Sequence, residues 1–404
     1  MVERTHWRLV VVPAWALLLL SLAALLVGCG DDDGSTETAE ADAQSTQVSF
    51  AGSRGFAMGF GHVQSERSIA GYEEPFRLAG EHGELILLQR GPAWSSFLPG
   101  ALPEDSLTET TRIDLRLAEQ HQVEFYLAVD PTDPTDRGRL FSPPSELAGL
   151  DFRDQVVQDA YLGYVEYLAE QYEPRYLALA VEVNLMARQN RPNYDAFLGV
   201  YESAYAAVKR VSPSTGVFVT LQFEALNGLP PSGETGMVGW QILDDFRSLD
   251  LVGISTYPGF SFGSIEEIPA NYYDEVLNHT DLPIAIAEMG LNSQQQTPIS
   301  STEEDQREFL ARLLADMDRL GFVFGIWYAP ADPSYELPAP FNSLAFIGLL
   351  RSDGSEKPAW AEWVTVSGLD YDAPESAVAG QAPDPDGTPE PGTSATTPTP
   401  AESP

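Results

Sequence analysis

Eight short apolar runs with strand character, separated by segments of helical period, constrain this chain more than any other feature. They fall at Phe56 to Phe60, Glu84 to Gln89, Val123 to Val129, Tyr176 to Glu182, Val217 to Leu221, Leu251 to Ser255, Pro283 to Ala287 and Phe322 to Trp327. Runs that are apolar throughout suit strands buried on both faces, which a parallel sheet covered by helices provides. Strands alternating with helices make βα units, and eight units in roughly 310 residues match a closed (β/α)8 TIM barrel of the α/β class with enlarged loops. A doubly wound open sheet is the alternative, but no Gly-rich phosphate fingerprint follows the first run.

The intervening helices have their own signatures. From Val156, apolar residues at Val157, Ala160, Tyr161, Tyr164, Val165 and Leu168 follow the i, i+3, i+4 rule, so one face packs inward. Ser301 with Glu304 resembles a capping box ahead of Phe309, Leu310, Leu313, Leu314 and Met317, and Gly321 supplies a stop. Segments 106–120 and 193–211 have the same character, whereas helical pattern is weak between the fifth and seventh runs.

The two ends differ from the body. Arg4 and Arg8 precede an apolar run from Leu9 to Gly28, the arrangement of a secretory signal. The run closes on Leu26-Val27-Gly28-Cys29, which resembles the lipobox of bacterial lipoproteins, where the chain is cut before the Cys and the new terminus receives lipid, palmitate included. Cys29 is the only cysteine in 404 residues, and it stands where the lipobox needs it. An uncleaved membrane-spanning anchor is the alternative, since about 20 apolar residues can cross a bilayer. Either way the body lies outside the cytoplasmic membrane. Residues 1–28 are expected to be the signal peptide, 29–47 a disordered acidic tether, 48–370 a single barrel domain, and 371–404 a disordered tail rich in Pro, Thr and Ser.

Charge and composition exclude several functions. A formal charge of −38 disfavours nucleic acid as a partner, because phosphate binding needs a basic surface. With a single thiol there is no Cys-based metal site. The five histidines show no H-x-x-H or H-E-x-x-H spacing, and no G-x-S-x-G elbow or P-loop occurs, so neither metal nor cofactor is expected.

In a TIM barrel the active site lies at the C-terminal ends of the strands. Polar residues expected there are His62, Gln89, Arg90, Asp130, Glu182, Asn184, Gln222, Glu224, Tyr257, Glu288, Asn292 and Trp327, with Trp94 beyond the second run. A ring of acids, amides and aromatics suits a sugar, whose C–H faces stack on rings and whose hydroxyls bond polar groups. Glu288 closes the apolar run Pro283-Ile-Ala-Ile-Ala287, and Glu182 closes Tyr176-Leu-Ala-Leu-Ala-Val181. A carboxylate at the end of a buried strand carries a desolvation cost that a partner or a function must offset. Paired carboxylates from opposite sides of one mouth are what a glycosidase requires.

Glu182, Tyr257 in Asp250-Leu-Val-Gly-Ile-Ser-Thr-Tyr-Pro258, Glu288 in Ile284-Ala-Ile-Ala-Glu-Met-Gly290 and Trp327 in Phe324-Gly-Ile-Trp-Tyr328 resemble clan A glycoside hydrolases, with the endo-β-1,4-galactanase branch among the closer relatives. The run Gly348 to Trp360 is similar to their closing segment, so the resemblance spans about 50 to 366. It implies Glu288 as nucleophile, Glu182 as acid/base, Tyr257 as the hydroxyl orienting the nucleophile and Trp327 as a sugar platform. Asn184, Trp94, Gln89 and Gln222 are the further candidates for substrate contact. Those enzymes place Asn directly before the acid/base, and here that position is Val181. An alternative register would put Asn184 in the Asn slot. We prefer Glu182 as the acid, with Asn184 two residues on facing the same side.

The resulting expectation is a surface-anchored retaining glycosidase of carbohydrate metabolism, held to the membrane by its N-terminal lipid and acting on a β-linked poly- or oligosaccharide. A carbohydrate-binding lipoprotein that kept the barrel without turnover is the first alternative, and a structural or adhesive surface protein the second.

Overall fold

The structure is a computed structural model that describes residues 50, 52–230, 239–295, 301–339 and 341–373. The expected signal peptide, Cys29, the tether and the tail from 374 onward lie outside the described residues.

Eight parallel strands form one sheet: β1 (Ala57–Gly61), β2 (Leu85–Arg90), β3 (Glu124–Val129), β4 (Tyr176–Ala178), β5 in two segments (Gly216–Phe218 and Thr220–Gln222), β6 (Val252–Thr256), β7 (Ile284–Met289) and β8 (Phe324–Trp327). The first segment of β5 pairs with β4 and the second with β6. Since β1 also pairs with β8, the sheet begins and ends on one strand and closes into a barrel. This is the TIM barrel expected from the eight apolar runs.

Two apolar layers hold it. Alternate residues turn inward, and the barrel interior is filled by Tyr126, Tyr176, Phe218 and Phe324 interleaved with small residues such as Ala57, Ala285 and Ala287. Phe324 lies 4.5 Å from Tyr176 and 5.3 Å from Tyr126, centroid to centroid. Gly253 makes room for this cluster, because a Cβ there would stand 2.5 Å from the Phe218 ring. The second layer lies between the strands and the surrounding helices.

Those helices are α1 (Ile69–Glu81), α2 (Asp105–His121), α3 (Gln155–Tyr172), the short α4 (Val183–Gln189), α5 (Arg191–Val211), the single turn α6 (Phe223–Leu226), α7 (Glu303–Leu320) and α8 (Pro358–Ser367). Between β5 and β7 the described residues contain only α6 and short 3-10 turns, in keeping with the weak helical pattern there. The cap of α7 is one residue later than the sequence suggests. Thr302 and Asp305 form the capping box, while the Ser301 hydroxyl donates to the Asn292 carbonyl.

Two further features shape the mouth of the barrel. A hairpin, Thr132–Asp133 against Asp136–Leu140, is inserted directly after β3. After β8 the chain makes a long loop back to α8, and Lys357 pins it. The Lys357 ammonium is fully buried, pairs with Asp332 at 2.7 Å, and donates to Ser293 Oγ and the Gly348 carbonyl at 2.8 Å each. Lys357→Met would leave Asp332 buried without its cation. It should cost about 3–5 kcal/mol in chemical denaturation; a loss below 1 kcal/mol would show that the buried pair does not hold the loop.

Candidate active site

A cavity of about 300 Å³ opens at the C-terminal mouth of the barrel, lined by Gln89, Pro134, Arg137, Glu182, Gln222, Glu224, Tyr257, Phe260, Ser261, Glu288, Tyr328 and the loop residues Phe341, Ser343 and Leu344. A smaller cavity of about 200 Å³ shares Gln89, Pro134, Tyr328 and Phe341 with it and extends toward His62 and Asp130.

Glu288 reaches this cavity through an irregularity in β7. Ala285 and Ala287 face the barrel interior while Ile284 and Ile286 face the helices. Strict alternation would therefore send residue 288 outward. The pairing skips a residue instead: Ile254 lies opposite Ile286, but Ser255 lies opposite Glu288, and the ladder to β8 shifts in the same interval. This β-bulge adds one residue to β7 and turns the carboxylate into the mouth. There Glu288 is buried, accepts from the Tyr257 hydroxyl at 3.0 Å through Oε2, and meets no donor among the described residues at Oε1. Burial, then the Glu182 charge, push its pKa up to about 8, against the Tyr257 hydrogen bond and Arg137. Burial and the neighbouring Glu288 charge hold Tyr257 well above its ordinary value, so it stays a donor.

Glu182 arrives differently. The expected strand Tyr176 to Glu182 ends at Ala178, since regular pairing stops there, and Glu182 itself adopts the left-handed conformation, φ +50°, at the N-terminus of α4. Its backbone N–H donates to Thr220 Oγ1 at 2.9 Å. The side chain accepts from Ser255 Oγ at 2.9 Å through Oε1 and from Arg137 Nη2 at 2.9 Å through Oε2. Ser255 thus links the two glutamates: it is the register partner of Glu288 and the hydrogen-bond donor to Glu182. Arg137 stands on the inserted hairpin and also pairs with Asp130. Neither Arg137 nor Ser255 stands out in the sequence, because a hairpin arginine and a strand serine have no distinguishing local pattern.

The remaining candidates divide. Gln89 and Gln222 line the cavity. The Gln222 amide is already engaged, donating to Glu224 and accepting from the Ala225 N–H. Glu224 is fully buried in the wall; Thr256, Tyr272 and the Tyr257 N–H donate to it, and burial raises it to about 7. Asn184 is not on the cavity. Beyond Glu182 the chain is helical, so the two-residue alternation that would put residues 182 and 184 on one side no longer applies, and the Asn184 amide instead exchanges hydrogen bonds with the backbone of Gln222 at 3.0 and 2.8 Å. Trp327 also lies away from the cavity. Phe324 and Ile326 face the interior, so Trp327 faces outward against Phe309 of α7 and donates to the Ile347 carbonyl at 2.7 Å. The next residue, Tyr328, is the aromatic that lines the mouth, a position that alternation along β8 makes readable. Trp94 is buried and donates to the Phe141 carbonyl at 2.9 Å. His62 lines the smaller cavity with its ring against Tyr72, Arg90 pairs with Asp114, and Asn292 holds the Ser343 carbonyl of the β8 loop.

No protein-family model matches the sequence, and no curated protein matches it. Solved structures do resemble it. The GH5_18 protein from Streptomyces cattleya, in complex with GlcNAc, is 16% identical over 80% of this chain and 82% of that one, with a TM-score of 0.58. The exo-β-1,4-mannosidase from an Opitutaceae bacterium is 14% identical over 80% of this chain and 61% of that one, TM-score 0.58. Xylanase 10B from Thermotoga maritima is 13% identical over 78% and 95%, TM-score 0.56. The likeness to these structures is one of fold, the (β/α)8 barrel.

The raised Glu288 makes a measurable contribution to stability. An unfolded glutamate loses its proton near pH 4.3, whereas folded Glu288 keeps it to about 8. Between those values the native state binds the extra proton, so stability falls as pH rises. Glu288→Gln removes that dependence. The melting temperature of the variant relative to the parent should climb by a few degrees between pH 5 and pH 8 and level off above; a difference that does not change with pH would contradict the buried, protonated carboxyl.

Proposed function

We propose that the protein is a retaining glycoside hydrolase acting on a β-linked poly- or oligosaccharide, with Glu288 as nucleophile and Glu182 as acid/base. The observation that carries this reading is the meeting of two carboxylates, one from the end of β7 and one just beyond β4, on a single cavity with Ser255 between them. Retention requires a carboxyl pair about 5–5.5 Å apart, one attacking and one protonating. In the first step the Glu288 carboxylate bonds the anomeric carbon while the glycosidic C–O bond breaks and Glu182 gives its proton to the leaving oxygen. In the second, Glu182 takes a proton from water, whose oxygen displaces Glu288. Tyr257 orients the nucleophile through its hydroxyl, and Tyr328 supplies the aromatic wall for a sugar face. The similar solved structures include a β-1,4-mannosidase and a xylanase, which supports a β-linked substrate. Asp130, Glu182, Glu224 and Glu288 outnumber Arg137 and Arg90 around the two cavities, which favours a neutral sugar over a uronic acid.

A second reading, sugar binding without turnover, is favoured by two observations. Arg137 ties up Glu182 as an ion pair, and Val181, where clan A enzymes place Asn, is packed into the barrel interior. Reducing-sugar release from β-1,4-linked mannan, xylan and galactan decides between them. Release that falls at least about a thousand-fold in Glu288→Gln supports hydrolysis, and labelling by a 2-fluoroglycoside should add its mass to the peptide containing Glu288. Binding with no release on any glycan would establish the second reading.

The same proposal includes surface anchoring through Cys29. Cys29→Ala should move the protein out of the membrane fraction or block its processing; an unchanged membrane fraction would point to a spanning anchor.

A further inference from the structure

We propose that the smaller cavity, on the β1 to β3 side of the mouth, is a blind subsite for one neutral sugar ring, so that the enzyme removes disaccharides from the non-reducing end of a β-linked chain. The proposal rests on the hydrolase reading above and adds to it how many sugar units are held on the side that stays bound to Glu288.

The chamber has the size and chemistry of one sugar unit. Its volume of about 200 Å³ is below the roughly 300–1,000 Å³ of a site for a larger ligand, and it joins the cavity of the two glutamates where Gln89, Pro134, Tyr328 and Phe341 line both. Neither glutamate lines it, so it is a place for binding and not for bond cleavage. Gln89 Oε1 is buried and meets no donor among the described residues, while Gln89 Nε2 stands 3.5 Å from Asp130 Oδ2. Arg137 takes the other oxygen of Asp130. A buried acceptor without a donor costs free energy that a sugar hydroxyl restores. Phe141 and Phe341 supply rings for the C–H face of that sugar, and the Asp130 carboxylate disfavours an acidic one.

The far wall of the chamber is continuous. The loop after β8 is tied to the loop after β1, where the Ser334 N–H donates to the Ser65 carbonyl at 2.7 Å and the Tyr335 hydroxyl to the Gln64 carbonyl at 3.2 Å. The connection after β2 is tied to the hairpin after β3. The Trp94 indole donates to the Phe141 carbonyl at 2.9 Å, and a Cβ on Gly91 would stand 2.2 Å from the Phe141 ring. Between these two ties the His62 ring packs on Tyr72, centroids 4.3 Å apart, and the Tyr72 hydroxyl accepts from Arg90 at 3.0 Å. From β8 round to β3 each connection is thus fastened to the next, and a longer sugar chain has no passage there. The order of the chemical steps then decides which part of the substrate enters. In retention the leaving group departs first and water replaces it, while the other part stays on Glu288. A leaving group lodged in a dead end would be trapped behind the glycosyl-enzyme. The chamber therefore holds the sugar linked to the one on Glu288.

The test uses 4-nitrophenyl glycosides of one, two and three β-1,4-linked mannose, xylose or galactose units. In the series that is cleaved, kcat/KM for nitrophenol release should be at least about tenfold higher for the disaccharide than for the monosaccharide, because the second ring adds binding that serves the transition state. The trisaccharide should be cut one bond earlier, giving free disaccharide and the nitrophenyl monosaccharide as first products. Direct release of nitrophenol from the trisaccharide at the rate of the disaccharide would overturn the proposal, as would equal rates for one and two units. Val63 lines the smaller cavity and not the larger. Val63→Trp fills the chamber and should bring the disaccharide rate down toward that of the monosaccharide; a folded variant that keeps the full difference would also refute the assignment. Crystals of Glu288→Gln soaked with mannobiose, xylobiose or galactobiose provide a readout without turnover. A sugar ring between Gln89, Asp130 and Phe141 is the expected result, and a chamber that stays empty with all three counts against it. If nothing is cleaved while a ring sits there, the hydrolase reading fails and the sugar subsite stands, without disaccharide release. If cleavage occurs with no preference for two units, the hydrolase reading stands and the blind subsite fails.

Discussion

Both segments of β5 have a parallel partner, one on β4 and the other on β6, and the rest of the molecule depends on that double engagement. A parallel sheet left open would expose two rows of backbone donors and acceptors. Here the interruption at Val219 lets one strand serve both edges, so none remains. Closure also sets the functional geography, because all eight C-terminal ends then converge on one mouth. Side chains that are far apart in sequence, from Gln89 to Tyr328, line one cavity for this reason alone.

Closure does not aim the carboxylates. Each of the two glutamates depends on a local departure from regular strand geometry: the extra residue in β7 for Glu288, and the left-handed backbone for Glu182. Irregular backbone at such a place is costly unless its surroundings over-determine it. The Thr220 hydroxyl holds the Glu182 N–H, and Asn184 fastens the start of α4 to the backbone at Gln222. Asn184 is therefore a support for the turn that presents Glu182. Glu224 has an equivalent part on the other side, gathering Thr256, the Tyr257 N–H and Tyr272 at the end of β6 and so fixing where the Tyr257 hydroxyl meets Glu288.

The electrostatics of the mouth follow from the same construction. Four acids crowd the mouth, and the protein compensates them in three ways: Asp130 and Glu182 by one shared guanidinium, Glu224 by neutral donors, Glu288 mainly by keeping its proton. Such unequal treatment separates two chemically identical side chains, which is the condition for giving them different tasks. Lys357 solves a similar problem further out, where a buried cation surrounded by acceptors holds the loop that contributes Phe341, Ser343 and Leu344 to the cavity rim.

What the sequence determined by itself was periodic. The spacing of apolar runs specified eight βα units and a closed barrel, the i, i+3, i+4 pattern located α3 and α7, and the ends of the runs put Glu182, Tyr257 and Glu288 at the mouth. Alternation along Phe324, Gly325, Ile326 and Trp327 already sends Trp327 outward and Tyr328 inward. What depended on the tertiary structure was aperiodic. A one-residue bulge in β7, a left-handed residue at 182 and an arginine carried in by an inserted hairpin leave no repeating trace, because each is set by contacts with other strands and not by its own neighbours in the chain. Those three features decide where the carboxylates face and what meets each of them there, since orientation and compensation in a buried site are properties of the whole surrounding shell.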